Sequence, residues 1–261
     1  MTELAKRTWP EARELFASDP IALVPIATTE PHGPHLPLDT DITIAEAQAR
    51  RAEELLAEAG VPSVRLACVP FGLTRFAEGF EGRICLRPGT LWALVEDLIE
   101  SLAEQGIRRI VILNGHLEQE HVQVLRGVVS DFAEAPDKGR PQVVLADVTR
   151  RRFAERLGDE FLSGECHAGR YEASIVMAAD PDGVREAERV ALPPLTIGLI
   201  EKMRAGVTSF RDAGADAAYC GDPAAASAAE GRALIDSLAS IVVDLARETW
   251  PERFPERANE R

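Results

Sequence analysis

Thiols are scarce in this 261-residue chain: the four cysteines, Cys68, Cys85, Cys166 and Cys220, stand far apart and form no CxxC pair. That spacing argues against a disulfide framework and a thiolate-rich zinc site, and it reads as free buried thiols. Positive charge is in deficit as well, with Lys+Arg 29 against Asp+Glu 43 and a formal net charge of -14. Such a surface repels phosphate backbones and anionic lipid, so neither nucleic acid nor membrane is an expected partner. No apolar run approaches the roughly 20 residues of a membrane helix, and residues 1–7 lack the basic-then-apolar order of a secretory signal. A cytoplasmic protein is therefore expected. Repeats and low-complexity linkers are missing too. At this length one large core is favoured over two small ones, so residues 1–261 are read as a single domain with a charged tail over 251–261.

The patterning that is present is periodic. Short apolar runs at residues 21–27, 64–71, 110–113 and 143–148, several rich in Val and Ile, have the length of strands buried on both faces. Longer amphipathic stretches separate them. Residues 44–59 place Ala45, Ala49, Ala52, Leu55, Leu56 and Ala59 at helical spacing and stop at Gly60 before Pro62. Residues 91–105 and 121–132 repeat the design. Alternating strands and helices imply an α/β fold, with a central, mostly parallel sheet flanked by helices on both faces. A long helix is expected over 224–248 and an exposed loop over 136–141, while residues 181–222 carry no readable pattern.

Histidine is the other scarce residue. All five fall in three short polar clusters: Glu30-Pro31-His32-Gly33-Pro34-His35, Asn114-Gly115-His116-Leu117-Glu118-Gln119-Glu120-His121, and Cys166-His167-Ala168-Gly169. Asp39-Thr40-Asp41 follows the first cluster. Imidazole nitrogen beside carboxylate oxygen, without thiolate, is an inventory for divalent metals. The first two clusters follow directly on the runs 21–27 and 110–113, so they sit at carboxyl ends of strands, where parallel sheets bind ligands. Asp41 reads as lying just before a helix that begins near residue 42, close enough to fold over the same edge. Glu30, His32, Asp41, His116 and Glu118 exceed what one tetrahedral zinc needs and suit two ions sharing a carboxylate and a water. Alone, Asp41 would read as a helix cap; the joint pattern favours ligation. His35, among prolines, reads as a structural residue that steadies a ligand through a ring nitrogen. His121 reads as a surface position on the next helix, Cys166 as a buried inert thiol, and Trp92 as core.

Taken in order, Glu30-x-His32-Gly33-Pro34-His35-Leu36-Pro37, Asp41, Asn114-Gly115-His116-x-Glu118, His167-Ala168-Gly169-x-x-Glu172-x-Ser174, and Gly221-Asp222-Pro223 with Gly231 closely resemble the creatininase family of metal-dependent amidohydrolases. The resemblance runs over nearly the whole chain. It implies an α/β subunit with two divalent ions, zinc or manganese, that hydrolyses a C–N bond in a small cyclic or linear amide. It also implies a homo-oligomer, commonly a homohexamer. Carried over by position, Glu30 and His116 would hold one ion, His32 and Glu118 the other, and Asp41 would bridge them. A metal-bridging hydroxide would then attack the amide carbonyl. His167 would move a proton to the leaving nitrogen, and Glu172 would either orient His167 or take the proton of the attacking water. Thr74 and Leu117 are the candidate substrate contacts.

Two departures bear on substrate. The family's Glu-Thr-Ser becomes Glu172-Ala173-Ser174, which keeps the carboxylate and drops a hydroxyl. Leu117 is aliphatic, and no tryptophan lies between Trp92 and Trp250, so the aromatic cradle for creatinine is missing from its place upstream of His167. Another amide is expected, with Lys202, Arg204 and Arg211 as cationic contacts to an acidic substrate. The alternative is a non-catalytic member that keeps the fold, and its metal, as a binding or scaffold protein. Retention of His167 and Glu172 favours the enzyme. The lack of basic residues around the ligands disfavours phosphate esters.

Overall fold

The computed structural model describes residues 3–134 and 140–255. Its sheet has four parallel strands, β1 (Ile21–Ile26), β2 (Ser63–Arg65), β3 (Arg109–Asn114) and β4 (Gln142–Ala146), in the order β2-β1-β3-β4. The helices are α1 (Trp9–Ala17), α2 (Thr40–Glu58), α3 (Pro88–Glu104), α4 (Gln119–Glu134), α5 (Arg151–Ala154), α6 (Asp159–Ser163), α7 (Arg170–Ala179), α8 (Glu186–Ala191), α9 (Leu199–Arg204) and α10 (Ala228–Thr249). The expectation of an α/β fold with a parallel central sheet is met.

The two-residue alternation of a strand decides which helix covers which face. Ala22, Val24 and Ile26 of β1, with Ile110 and Ile112 of β3, pack on Leu91, Val95 and Ile99 of α3 and Leu125 and Val128 of α4. Ile21, Leu23, Val111 and Leu113 pack on Ala49, Ala52 and Leu56 of α2 and Ala239 and Val242 of α10. Each fully buried Ile or Leu contributes about 1.5–3 kcal/mol relative to exposure, so the central strands anchor both layers. The chain leaves β1 through α2 to β2 on one side, then returns to β3 on the other side of β1. Between β1 and β3 the crossovers diverge. A crevice opens there at the carboxyl ends of the two strands.

Several boundaries differ from expectation. The run 64–71 is not one strand: regular pairing stops at Arg65 and resumes at a single bridge from Ile26 to Val69. That bridge needs one more residue on the β2 side than the pair Leu23–Arg65 does, so the segment bulges, and Pro25 and Pro70 withhold N–H groups there. α2 begins at Thr40, which puts Asp41 inside its first turn rather than before it. Residues 224–226 do not join the C-terminal helix. Pro223–Ala225 forms a separate 3-10 turn, and the Ser227 hydroxyl accepts from the Glu230 N–H at 3.2 Å to start α10.

The tail is ordered at its start, where Pro251–Arg253 makes a 3-10 turn and Phe254 packs with Trp250 in the α2 and α10 layer. The remainder of that tail, 256–261, and residues 136–139 of the expected loop lie outside the described residues. Within 181–222, α8 and α9 have six residues each, too short for a helical period to register. Leu199, Phe210, Ala213 and Ala215 from this stretch close over Phe76 and Ala77. Among the described residues no helix is long and apolar enough to cross a membrane.

Candidate metal centre

Past β1 the chain turns back over the sheet edge, fixed by the Glu30 N–H on the Leu38 carbonyl at 3.0 Å and the Gly33 N–H on the Ala218 carbonyl at 2.7 Å. His32 Nδ1 lies 3.1 Å from the Glu30 carbonyl and donates to it, which leaves Nε2 as the lone-pair nitrogen. That atom lies 3.1 Å from Asp41 Oδ1, 3.5 Å from Glu172 Oε2 and 4.0 Å from Glu30 Oε1. It is buried and makes no hydrogen bond among the described residues.

The end of β3 supplies the second imidazole. Gly115 passes against the backbone of Asp41, where a side chain would strike the carbonyl oxygen, so this approach of β3 to α2 requires glycine. His116 Nε2 donates to the Leu73 carbonyl at 2.8 Å. Its Nδ1 is left 2.9 Å from Asp41 Oδ2 and 3.2 Å from Glu30 Oε1. Asp41 thus turns one oxygen to each imidazole, and Thr28 steadies it through a 2.5 Å hydroxyl bond to Oδ2.

Two sets of ligand atoms, each within 4.8 Å of one another, share Asp41: Glu30 with His116, and His32 with Glu172. A third set joins Glu30, His32 and His167. Among the described residues no such set joins His32 with Glu118, the pairing that the resemblance implies. Glu118 belongs to none of these sets; its Oε2 accepts from the Phe76 N–H at 3.0 Å. Glu172, in the first turn of α7, occupies that place beside His32 and accepts from the Ala168 N–H at 2.6 Å. It makes no hydrogen bond to His167 among the described residues, so an orienting role for Glu172 has no contact behind it.

The donor set favours cations. Burial alone would strip His32 of its proton, yet Asp41, Glu172 and Glu30 raise its pKa to about 10. His116 is likewise raised well above its usual value against burial, by Glu30 and Asp41. Burial pushes the Glu172 carboxyl upward, against the pull of His32, with the charge of Asp41 adding to it. A field that holds positive charge on buried imidazoles fits divalent ions, for which those imidazoles become neutral ligands. His32 Nε2, buried without a hydrogen bond among carboxylates, has the position such a ligand needs.

His167 stands half-buried beside this centre. Its ring stacks on Phe210 at 4.1 Å and leans on His32 at 4.5 Å, while Nε2 lies 3.1 Å from the Pro31 carbonyl. Burial and the neighbouring His32 push its pKa well down. A cavity of about 440 Å³ lies over the centre, with Glu30, Asp41, His116, Leu117, Glu118, His167 and Glu172 on its wall. Phe76, Phe161 and Phe210 line it too, so aromatic faces reach the cavity although no tryptophan lies between Trp92 and Trp250 and Leu117 is aliphatic. Phe210 comes from the stretch whose pattern could not be read.

Other expected residues fall elsewhere. Thr74 is fully buried and off the cavity wall, its backbone N–H on Cys85 Sγ at 3.3 Å. Arg204 reaches the wall, but Lys202 caps the Ala213 carbonyl at 2.6 Å and Arg211 lies over the Phe80 ring. His35 is fully buried, and burial lowers its pKa to about 4 against the opposing pull of the Ala168 backbone beside it. Cys166 is a buried free thiol whose pKa burial raises well above the ordinary value.

His121 is not a surface residue. It is fully buried, accepts from the Leu73 N–H at 3.2 Å through Nδ1, and therefore donates through Nε2 to Asn114 Oδ1 at 3.1 Å. Asn114 in turn holds both backbone groups of His116. The sequence did carry the signal, because 121, 125, 128 and 132 form the buried stripe of α4.

A family model described as "Creatininase: Creatinine amidohydrolase" matches residues 5–246. The "Mycofactocin precursor peptide peptidase" of Mycolicibacterium smegmatis is 32% identical over 250 residues, covering 93% of this chain and 90% of the relative. The "Creatinine amidohydrolase" of Pseudomonas putida is 27% identical over 198 residues, covering 72% and 76%. A solved structure titled "Creatininase Mn" superposes with a TM-score of 0.73 at 22% identity, over 96% of this chain and 99% of that one.

Proposed function

The chain belongs to the creatininase family, and from that membership we propose that it is a dinuclear metal-dependent amidohydrolase cleaving the C–N bond of a peptide-like amide. One observation carries the reading: Asp41 sits between two imidazoles, one oxygen toward each, with Glu30 and Glu172 completing a set on either side. Glu30, Asp41 and His116 would hold one ion, and His32, Asp41 and Glu172 the other; mixed imidazole and carboxylate donors suit zinc or manganese. When bound, such a pair supplies an activated water and a Lewis acid for the amide oxygen. The backbone carbonyls of Glu30 and Leu73 fix the tautomers of His32 and His116, so each presents its bare nitrogen inward. His167, anchored through Nε2 on Pro31, keeps Nδ1 to take a proton from the attacking water and return it to the leaving nitrogen. Its lowered pKa makes it a ready donor once charged. Glu118, held by Phe76 and with its pKa raised by burial, adds a second carboxyl on the wall that can hold a proton.

A peptide-like substrate is favoured over a single small ring. The relative named as a peptide peptidase is the more similar of the two over more of the chain, and about 440 Å³ is in the range that takes a multi-group ligand. The test is turnover by zinc- or manganese-loaded protein on short peptides, N-formyl aminopyrimidines, cyclic imides and creatinine. Peptide cleavage with little creatinine turnover is expected; creatinine as the sole substrate would overturn the substrate class. His167→Ala should keep its metal and lose roughly 10²- to 10⁴-fold in kcat. Metal retained without turnover on any amide would instead favour the binding or scaffold role.

A further inference from the structure

A second cavity, of about 690 Å³, adjoins the one over the metal centre and shares Phe76, Glu118, Gln119 and Met203 with it. A chain whose scissile bond lies at Asp41 can therefore continue past Phe76 and Glu118 into this groove. Three arginines line it, Arg75, Arg83 and Arg87, in a protein whose net charge is -14. The carboxylates on its wall are largely engaged. Glu120 pairs with Arg75 at 3.3 Å, and Glu118 accepts from the Phe76 N–H. Two guanidiniums remain, and Glu78 is the other carboxylate on the groove wall. Arg83 makes one long contact, 3.5 Å to the Thr74 carbonyl, and Arg87 makes no ion pair among the described residues. Arg87 is also the residue that precedes the first turn of α3; its side chain caps nothing, and the positive end of a 17-residue helix adds to its charge.

We propose that this groove binds the carboxylate-bearing flank of a peptide substrate, with Arg83 and Arg87 as the anion-recognising side chains. The assignment rests on the amidohydrolase reading for where the scissile bond lies, but binding needs no turnover. It also gives the local basic charge a purpose: the net negative charge disfavours an acidic peptide on the surface at large, and a guanidinium fork matches a carboxylate in two hydrogen bonds.

The experiment is fluorescence anisotropy with metal-loaded protein and a labelled Gly-Phe-Gly-Asp-Glu-Gly peptide, its Asn-Gln counterpart, and both with amidated C-termini, at low salt. Arg83→Gln and Arg87→Gln should each weaken the acidic peptide about 2- to 5-fold, as expected for half-exposed ion pairs, and leave the neutral amidated peptide unchanged. Glu78→Gln should tighten it, which guards against reading misfolding as loss. If amidation alone removes the arginine dependence, the anchor is the terminal carboxylate; if the Asn-Gln change removes it, the anchor is a side chain, and either result supports the subsite. Equal binding of all four peptides, or no binding by the wild type, overturns it. Arginine-dependent binding without cleavage would sink the hydrolase reading alone, and cleavage with arginine-independent binding would sink the subsite alone.

Discussion

Gly231 offers the sharpest link between packing and the metal centre. It lies on α10 where that helix crosses α7, and a Cβ added there would strike the Ser174 carbonyl and stand 2.9 Å from the Ala178 Cβ, inside the 3.4 Å at which ordinary contact begins. The obstacle is backbone, which cannot swing aside as a long side chain would. Overpacking of this kind costs about 1–3 kcal/mol, and a backbone clash belongs at the upper end. Alanine recovers about 1 kcal/mol of helix propensity over glycine, so Gly231→Ala should lose about 2 kcal/mol net. For a domain of this size that lowers Tm by roughly 4–8 °C. Because α7 also carries Glu172, two residues before Ser174, the same displacement should loosen the ion held with His32 more than the ion held with His116. Thermal melts read the first effect, and metal retention through a graded chelator titration reads the second. A Gly231→Ala protein as stable as the wild type would show that α7 and α10 can separate freely, and the close-approach argument would fail.

Other expectations follow from the same contacts. Glu172→Gln should halve the metal content while Glu118→Gln leaves it near two ions per chain, as read by elemental analysis; the reverse pattern would restore the pairing implied by the family resemblance. Asp41→Asn should lose both ions together. Asp147 is buried, and despite burial the Thr149 hydroxyl and the Arg126 guanidinium hold its carboxyl below the usual range. A depressed folded-state pKa contributes stability above the unfolded value, near 4, and that contribution disappears as pH falls through the folded value. Asp147→Asn should therefore be about 1–3 kcal/mol less stable than the wild type at pH 7, with the gap closing in denaturant melts below pH 4. A gap unchanged at pH 2 would count against the assignment.

What the sequence made legible was local. Apolar runs along 21–27 and 110–113 and helical spacing in 44–59 located the sheet and its flanking layers, because a strand buried on both faces writes a continuous apolar run, and an amphipathic helix its period, directly into the chain. The polar clusters at strand ends placed Glu30, His32, Asp41 and His116 at one edge for the same reason. Two things were hidden. Whether Glu118 or Glu172 stands beside His32 depends on how α7 packs against α2, a contact between segments more than a hundred residues apart. Phe76, Phe161 and Phe210 reach the cavity from short helices and turns that carry no period of their own. His121 was misjudged for a different reason: a polar residue on a core stripe looks like a surface residue until its partners, the backbone of Leu73 and the amide of Asn114, are in view.

The central claim is two ions divided by one carboxylate. A crystal structure of protein loaded with zinc or manganese, with anomalous scattering collected at the metal edge, tests it most directly. Two peaks are expected on either side of Asp41, one touching Glu30 and His116, the other His32 and Glu172. A single peak under excess metal, or a second peak on Glu118 with Glu172 unligated, would contradict it.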